Sequence, residues 1–519
     1  MSHDCSFLSD LDLDGDVSFD DAARESHAAD WVAREAGLGV RPNAVVWPKS
    51  TADVSTVLSA ASEREVPVTP YAAGTSMEGN AVPLFEGISM DMTKMDAVLD
   101  VRPDDFQIDV EPGVMGNVVD ERVAEHGMFF PPMPSSANLS TVGGMIVNDA
   151  SGQKTVKYGE VGDWVLELEV VLADGTVLET GSKAVKTSSG YNLKDLVVGS
   201  EGTLGVVTRA TLELEGRPEQ IKGGRAVFES MDDAAEAVYD AVRSGVDTAK
   251  IELIDPLAAE MANDYFDTGL PEGSMIFFEF HANHGIDEEI AFFETILEAH
   301  DVAEFEIAGD DRMDEIWRAR DELAFAVQQY DPDLEPRHPG DVTVPISRYP
   351  DIVRYAKDLA DKHDLLLPCF GHAGDGNVHY AALVDPDDEA TVERAKMVYN
   401  SIVEQAIEWG GTATGEHGIG MGKRRFLELE HGAGGVDAMR AVKTALDPDD
   451  ILNPGKVFPE TEAEGGRVDA PDIGLRPRFV VVQGSRLRPV IPDTMFAFCQ
   501  AGAVRSRTSI GQRVYDLAE

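Results

Sequence analysis

Tyr71-Ala72-Ala73-Gly74-Thr75-Ser76-Met77-Glu78-Gly79-Asn80 follows directly on an apolar run at 66–70. The run reads as a strand that ends in a loop of small residues. Such a loop lets backbone N–H groups close on an anion, and Thr75 and Ser76 add hydroxyl donors. Taken alone it is weak, because Gly-rich turns are mostly just turns. It is neither a GxGxxG pattern nor a Gly-Lys-Ser/Thr phosphate loop, so a dinucleotide Rossmann unit and a P-loop are both unsupported.

Outward from that loop, 44–47 reads as a strand and 51–64 as a helix. Ser50 or Thr51 stands at the helix cap, with Val54, Val57, Leu58 and Ala61 at helical spacing. Further strands are expected at 88–92, 107–110, 166–171 and 206–214, and Asp174-Gly175 signals a hairpin between 166–172 and 176–178. Near 215–220 the texture changes. Longer helical windows at 231–244, 286–299 and 312–329 alternate with strands, which suggests a second, α+β domain. Residues 1–40 read as a leader with one amphipathic helix at 22–36.

Composition sets the outer limits. At 519 residues the chain is long enough for two or three cores. Ninety-five acidic residues oppose 43 basic ones, a net charge of −52. That field argues against nucleic acid and anionic lipid as direct partners. It fits a solvated, halophile-type surface better than a cation sink, because molar salt shortens screening to about 3 Å. Cys5, Cys369 and Cys499 stand too far apart in sequence for a CxxC pair or an iron–sulfur ligand set. No basic–apolar signal peptide and no run of about 18 apolar residues is present. A cytoplasmic protein is expected, with peripheral membrane contact left open. Residues 460–519 form an atypical tail; from 467 on it carries eight arginines against five acidic residues. A docking role competes there with a shifted reading frame or an appended extension.

Three more Gly- and hydroxyl-rich pieces follow the first in order. They are Pro134-Ser135-Ser136 with Ser140-Thr141-Val142-Gly143-Gly144; Asn148 to Gly152 with Lys157-Tyr158-Gly159; and Gly199-Ser200-Glu201-Gly202-Thr203-Leu204-Gly205-Val206-Val207. With the first loop, they resemble the FAD-binding domain of the vanillyl-alcohol oxidase (PCMH) type, as found in the glycolate oxidase FAD subunit and in D-lactate and D-2-hydroxyglutarate dehydrogenases. The resemblance implies an α+β fold: that FAD domain at 41–215, a cap domain of the FAD-linked oxidase C-terminal type at 216–409, and a segment at 410–459 returning to the flavin site. The cofactor residues it implies are Ala73, Gly74, Thr75, Ser76, Met77, Gly79, Asn80, Pro134, Ser140, Thr141, Gly143, Gly144, Asn148, Gly152, Gly202, Val206 and Val207. An extended FAD needs backbone donors at several loops, and glycines permit that approach. The loop at 71–80 holds no His or Cys for covalent attachment, so non-covalent FAD is expected.

A second constellation starts at Gly371-His372-Ala373-Gly374-Asp375-Gly376-Asn377-Val378-His379, after an apolar strand expected at 365–370. Two histidines around a turn are usually polar surface. Gly415-Glu416-His417-Gly418 adds a carboxylate and a third imidazole. Two His nitrogens and one Glu oxygen make a ligand set with open positions, suited to one divalent ion, Zn or Mn. The same motifs occur in the hydroxy-acid dehydrogenases. The resemblance therefore implies His372, His379 and Glu416 as metal ligands and His417 as the base that takes the hydroxyl proton while hydride passes to flavin N5. It implies Arg320 as the clamp on the substrate carboxylate, with Arg318 as the competing candidate. Asn453, in Asn453-Pro454-Gly455-Lys456, is a cofactor contact or a simple turn.

Two positions differ from the 2-hydroxyglutarate branch: Ala381 replaces an Asn, and Pro339 stands where that branch has a Lys. A second carboxylate would go unpaired, which is costly. The expected reaction is FAD-dependent oxidation of a small D-2-hydroxy acid, D-lactate or glycolate, to the 2-keto acid, with D-2-hydroxyglutarate as the alternative. Electrons would pass to an external quinone, cytochrome or iron–sulfur protein, and a homodimer is compatible with the sequence. Rival classes are a metal-dependent hydrolase, which would be colourless, and a catalytically silent FAD-binding subunit.

Overall fold

The computed structural model describes residues 3–35, 37–266 and 268–459. The atypical tail lies outside the described residues.

The strand expected at 44–47 lies inside a small sheet. Strands β1 (Asp16–Ser18), β2 (Ala44–Trp47), β3 (Val68–Tyr71) and β4 (Ile88–Asp91) lie in the order β1-β2-β4-β3. The last three run parallel, and β2 leads to β3 through the helix Thr51–Ser62, which Ser50 caps by accepting the Asp53 N–H at 3.1 Å. The first residues are not a detached leader: β1 pairs antiparallel with β2, and Cys5 and Leu8 are buried in the same core.

The helix expected at 22–36 is two short helices, Asp21–Ser26 and Trp31–Glu35; residue 36 lies outside the described residues. Capping breaks it. Asp30 is fully buried and accepts the Ala33 N–H at 3.1 Å, an N-cap bond that starts the second helix.

Strands β5 (Val98–Arg102), β6 (Gln107–Val110), β7 (Met128–Phe129), β8 (Val165–Val171), β9 (Val177–Gly181), β10 (Val206–Glu213) and β11 (Glu215–Gly216) follow. Five of them form an antiparallel sheet, β5-β6-β10-β8-β9, and β7 pairs with β11. The β8–β9 hairpin turns at Gly175, whose φ of +86° a glycine accepts without strain.

The second domain is built on β12 (Gln220–Phe228), β13 (Lys250–Ile254), β14 (Ser274–Ala282), β15 (Glu304–Ala308), β16 (Glu335–Thr343), β17 (Cys369–Gly371) and β18 (Asn377–Val384). They form one antiparallel sheet, β15-β12-β14-β13-β17-β18-β16. The expected strand at 365–370 is shorter and later because Pro368 has no N–H for a ladder. The helix expected at 312–329 is two, Asp310–Asp321 and Leu323–Gln328. The break follows Asp321, which accepts from Gln153 Nε2 at 2.6 Å.

Strand alternation decides where the chemistry lies. Ile251, Leu253, Phe278, Phe280, Val342, Val378 and Tyr380 enter the core beneath the helices Met231–Arg243, Ile286–Glu298, Tyr349–Lys362 and Glu389–Glu408. The residues between them, including Lys250, Glu252, Glu279, His281, Asp341 and His379, share the other face. A strip of buried charge results. Residues 451–453 return to the edge of β3, where Asn453 N–H donates to Val68 O at 2.8 Å. Among the described residues no helix is long and apolar enough to cross a membrane.

Candidate active site

The loop after β3 and the segment at 134–144 meet through hydroxyls. Thr75 Oγ1 lies 3.1 Å from Ser140 Oγ, which lies 3.0 Å from Ser136 Oγ. Thr141 caps the helix Val142–Asn148 by accepting the Gly144 N–H at 3.2 Å. A Cβ at Gly144 would stand 3.8 Å from that of Ala72, so this turn faces the loop closely. Gly152 packs on Pro134 and Gly202 on Pro70 more tightly, where a Cβ would come to 3.0 Å. Hydroxyl and backbone donors thus gather at adjoining loops, a set that suits a diphosphate.

Some expected cofactor residues have other partners. Ser76 donates its hydroxyl to Asp30 at 2.8 Å, and is not a free donor as expected. Val206 and Val207 put their side chains into the cores on opposite sides of β10, leaving their backbone as the part that can meet a ligand. Met77 packs against the small cluster around Val82. Asn80 donates to Glu201 at 2.6 Å, and Asn453 donates to Asn80 O at 2.9 Å and Glu201 O at 2.8 Å. Asn453 is therefore a brace between two loops. Gly74 and Gly79 take φ of +68° and +72° in the same loop as Ala73.

The four residues of the second constellation converge. Glu416 Oε1 lies 3.3 Å from His372 Nε2 and 3.2 Å from His379 Nε2. One ligand atom from each lies within 4.8 Å of the others. Burial would push the Glu416 carboxyl up, but the two histidines outweigh it and hold it below the usual range. His372 is drawn well above its ordinary value, against burial, by Glu252 and Glu416. The site thus calls for positive charge between its donors, as a two-His, one-carboxylate cation site would. His372 Nδ1 is 2.6 Å from Glu252 Oε1, so the ring lies between two carboxylates. Asn148 Nδ2 donates to Glu416 O at 2.6 Å, which joins this site to the first domain.

The turn at 414–417 hangs on Asp341. Its Oδ2 accepts the N–H of Gly415, Glu416 and His417 at 2.9, 2.9 and 3.0 Å, and the Thr414 hydroxyl at 2.9 Å. Asp341, His379 and His417 form a second metal-like cluster. A cation already stands there: fully buried Lys423 has its Nζ 3.5 Å from Asp341 and 3.3 Å from Glu78. Burial pushes Glu78 up to about 7.

The His417 ring stacks on His379, 5.4 Å between centroids and 13° between planes. Its Nδ1 is buried without a hydrogen bond, and burial pushes the imidazole down to about 4. It is neutral at neutral pH and can accept a proton.

Arg320 is 6% exposed and donates Nε to Glu252 Oε2 at 2.6 Å. One terminal nitrogen is buried with no partner. Arg318, the competing candidate, has a mostly exposed side chain paired with Glu322 at 3.6 Å.

Glu252, Asp341, Glu78, Lys423 and Glu201 are absent from the sequence-derived site. Glu252 left one signal, a lone acid in the apolar run Lys250-Ile251-Glu252-Leu253-Ile254. Asp341 likewise precedes Val342-Thr343-Val344. Lys423 looks like an ordinary solvated charge beside Arg424 and Arg425.

Donor loops that suit a diphosphate beside a buried acid–base cluster fit an enzyme that works with a diphosphate-bearing cofactor. Residues 42–181 match the FAD binding domain family, and residues 217–457 match the C-terminal domain of FAD linked oxidases. A probable mitochondrial D-lactate dehydrogenase of Danio rerio is 35% identical over 454 residues, covering 86% of this chain and 90% of that protein. The glycolate oxidase subunit GlcD of Bacillus subtilis is 35% identical over 456 residues, covering 86% and 95%. The crystal structure of p-cresol methylhydroxylase with substrate bound has a TM-score of 0.68 at 18% identity, covering 85% of this chain and 93% of that one, a likeness of fold. The chain belongs to the FAD-linked oxidase family, and its cofactor is FAD.

Proposed function

We propose that the protein oxidises a small D-2-hydroxy acid, D-lactate or glycolate, to its 2-keto acid, and passes the electrons to an external quinone, cytochrome or iron–sulfur protein. The site would lie between an FAD domain at 41–215 and a cap at 216–409, closed by the segment at 410–459. The observation that carries this reading is one cluster: a cation-ready trio, a neutral buried imidazole stacked on it, and a buried arginine with an unbonded terminal nitrogen. The FAD-binding domain sets aside the colourless hydrolase.

Each residue has a task. The loop at 72–80, the hydroxyls of Thr75 and Ser140, and the turn at 141–144 hold FAD without a covalent bond, since 71–80 contains no His or Cys. FAD, when bound, supplies the two-electron acceptor. His372, His379 and Glu416 hold one Zn or Mn ion, which when bound lowers the pKa of a substrate hydroxyl by several units. His417 takes the hydroxyl proton, its neutral state secured by burial. Arg320 grips the substrate carboxylate.

Small substrates are favoured by the residue types at two positions. The ladder between β16 and β18 bulges between Arg337 and Gly340, so Pro339 faces the stretch beside Ala381, and neither offers a charge to a second carboxylate. The test is an anaerobic panel of D-lactate, L-lactate, glycolate and D-2-hydroxyglutarate, run from low to molar salt to suit the acidic surface. D-lactate or glycolate should bleach the flavin fastest. A yellow protein that no 2-hydroxy acid bleaches would be the silent subunit instead.

A further inference from the structure

Glu252 lies mid-strand in β13, 0% exposed, with one oxygen on each of two groups given different tasks above. Its Oε1 is 2.6 Å from His372 Nδ1 and its Oε2 is 2.6 Å from Arg320 Nε. We infer that Glu252 is a positioning residue that orients the metal-ligating nitrogen of His372 and the substrate-gripping end of Arg320 together. The inference rests on the metal and clamp roles proposed for those residues.

Geometry gives the reason on both sides. A neutral imidazole that donates Nδ1–H to a carboxylate keeps the lone pair of Nε2 for a metal ion, and this nitrogen lies on the Glu416 side of the ring, 3.3 Å from Oε1. The Arg320 guanidinium donates Nε to Glu252, and its buried Nη2 makes no hydrogen bond, so a donor of the seated group remains for a ligand. Phe370 completes the seat. The guanidinium lies over its ring at 5.2 Å, and that ring is 5.8 Å from His379. Only a carboxylate with a reach this long offers two acceptors to two donors. A glutamine would accept from one and turn an N–H toward the other.

A merely structural alternative exists, in which Glu252 does no more than neutralise a buried arginine. The two roles separate by measurement. In the full-length FAD-loaded protein, Glu252→Gln should weaken Zn²⁺ and Mn²⁺, read by competition with a chelator, by about 10- to 100-fold. KM for the flavin-reducing substrate, at saturating metal, should rise by about the same factor. Flavin content should stay that of the wild type. Arg320→Met should raise KM and weaken metal less than Glu252→Gln does, since Arg320 reaches His372 only through Glu252.

Wild-type metal affinity in Glu252→Gln would overturn the inference, as would weakened metal with an unchanged KM. If that variant does not fold, Glu252→Gln combined with Arg320→Met removes the cation left unpaired, and metal affinity alone decides. Wild-type affinity in the double variant sinks the inference, and weakened affinity upholds it. A wild-type protein that binds neither Zn²⁺ nor Mn²⁺ would instead bring down the metal role itself, and the inference with it.

Discussion

Asp341 Oδ2 accepts the backbone N–H of His417 at 3.0 Å, so a strand of the cap sheet holds the turn that carries the proposed base. The same oxygen takes three further donors, and Oδ1 accepts from Asn377 Nδ2 at 2.8 Å. Buried Lys423 lies beside it. Removing this carboxylate leaves several buried donors without this acceptor and takes from the ammonium one of its two carboxylates, leaving Glu78. Asp341→Ala should therefore lose about 3–5 kcal/mol of stability. Chemical denaturation followed by circular dichroism checks the figure, and a loss below about 1 kcal/mol would mean the turn is held elsewhere.

His417 can be tested apart from its neighbours. It contributes no atom to the trio of His372, His379 and Glu416, and touches that trio by stacking. His417→Ala should keep flavin and metal while flavin reduction under anaerobic conditions slows about 10²–10⁴-fold. Stopped-flow absorbance with D-lactate or glycolate measures it. Reduction at the wild-type rate would leave the hydroxyl proton to another group.

Metal removal should separate colour from activity. The donor loops for FAD and the His372–His379–Glu416 cluster share few atoms, among them the Asn148 bond to Glu416 O and the Ser151 hydroxyl 3.5 Å from Glu416 Oε2. Dialysis against a chelator should leave a yellow protein whose reduction rate falls on the order of 10³-fold. Zn²⁺ or Mn²⁺ should restore it. Unaltered reduction in metal-free protein would contradict the assigned ligands.

Much of this cluster is legible in the sequence, for a physical reason. Close-packed loops and ligand sets write themselves as local strings, such as Gly371 to His379 or Gly415 to Gly418. The supporting residues do not. Glu252 and His372 are 120 positions apart, and Lys423 reaches Glu78 across the two domains. Their pairing is set by the register of β13 beside β17 and by the return of the last segment, neither of which periodicity encodes. Helix breaks were missed for a related reason. Asp30 and Asp321 fit a helical pattern, but each is captured by a tertiary or capping partner.

The strip of charge on the cap sheet also forecasts acid behaviour. Tyr158 of the first domain meets His281 Nδ1 at 2.8 Å, His281 Nε2 meets Glu279 at 2.8 Å, and Lys250 lies 3.3 Å from that carboxylate. Burial would raise Glu279, but His281 and Lys250 outweigh it and bring the carboxyl down to about 2 from its usual 4.5. A carboxyl depressed in the folded state favours folding above its unfolded value, and that contribution fades as pH falls through the folded one. Glu279→Gln should cost on the order of 1–3 kcal/mol at neutral pH. The gap between variant and wild type should close as pH drops from about 4.5 toward about 2. Denaturation curves across that window provide the check. A gap that stays constant with pH would show that Glu279 contributes packing and no charge.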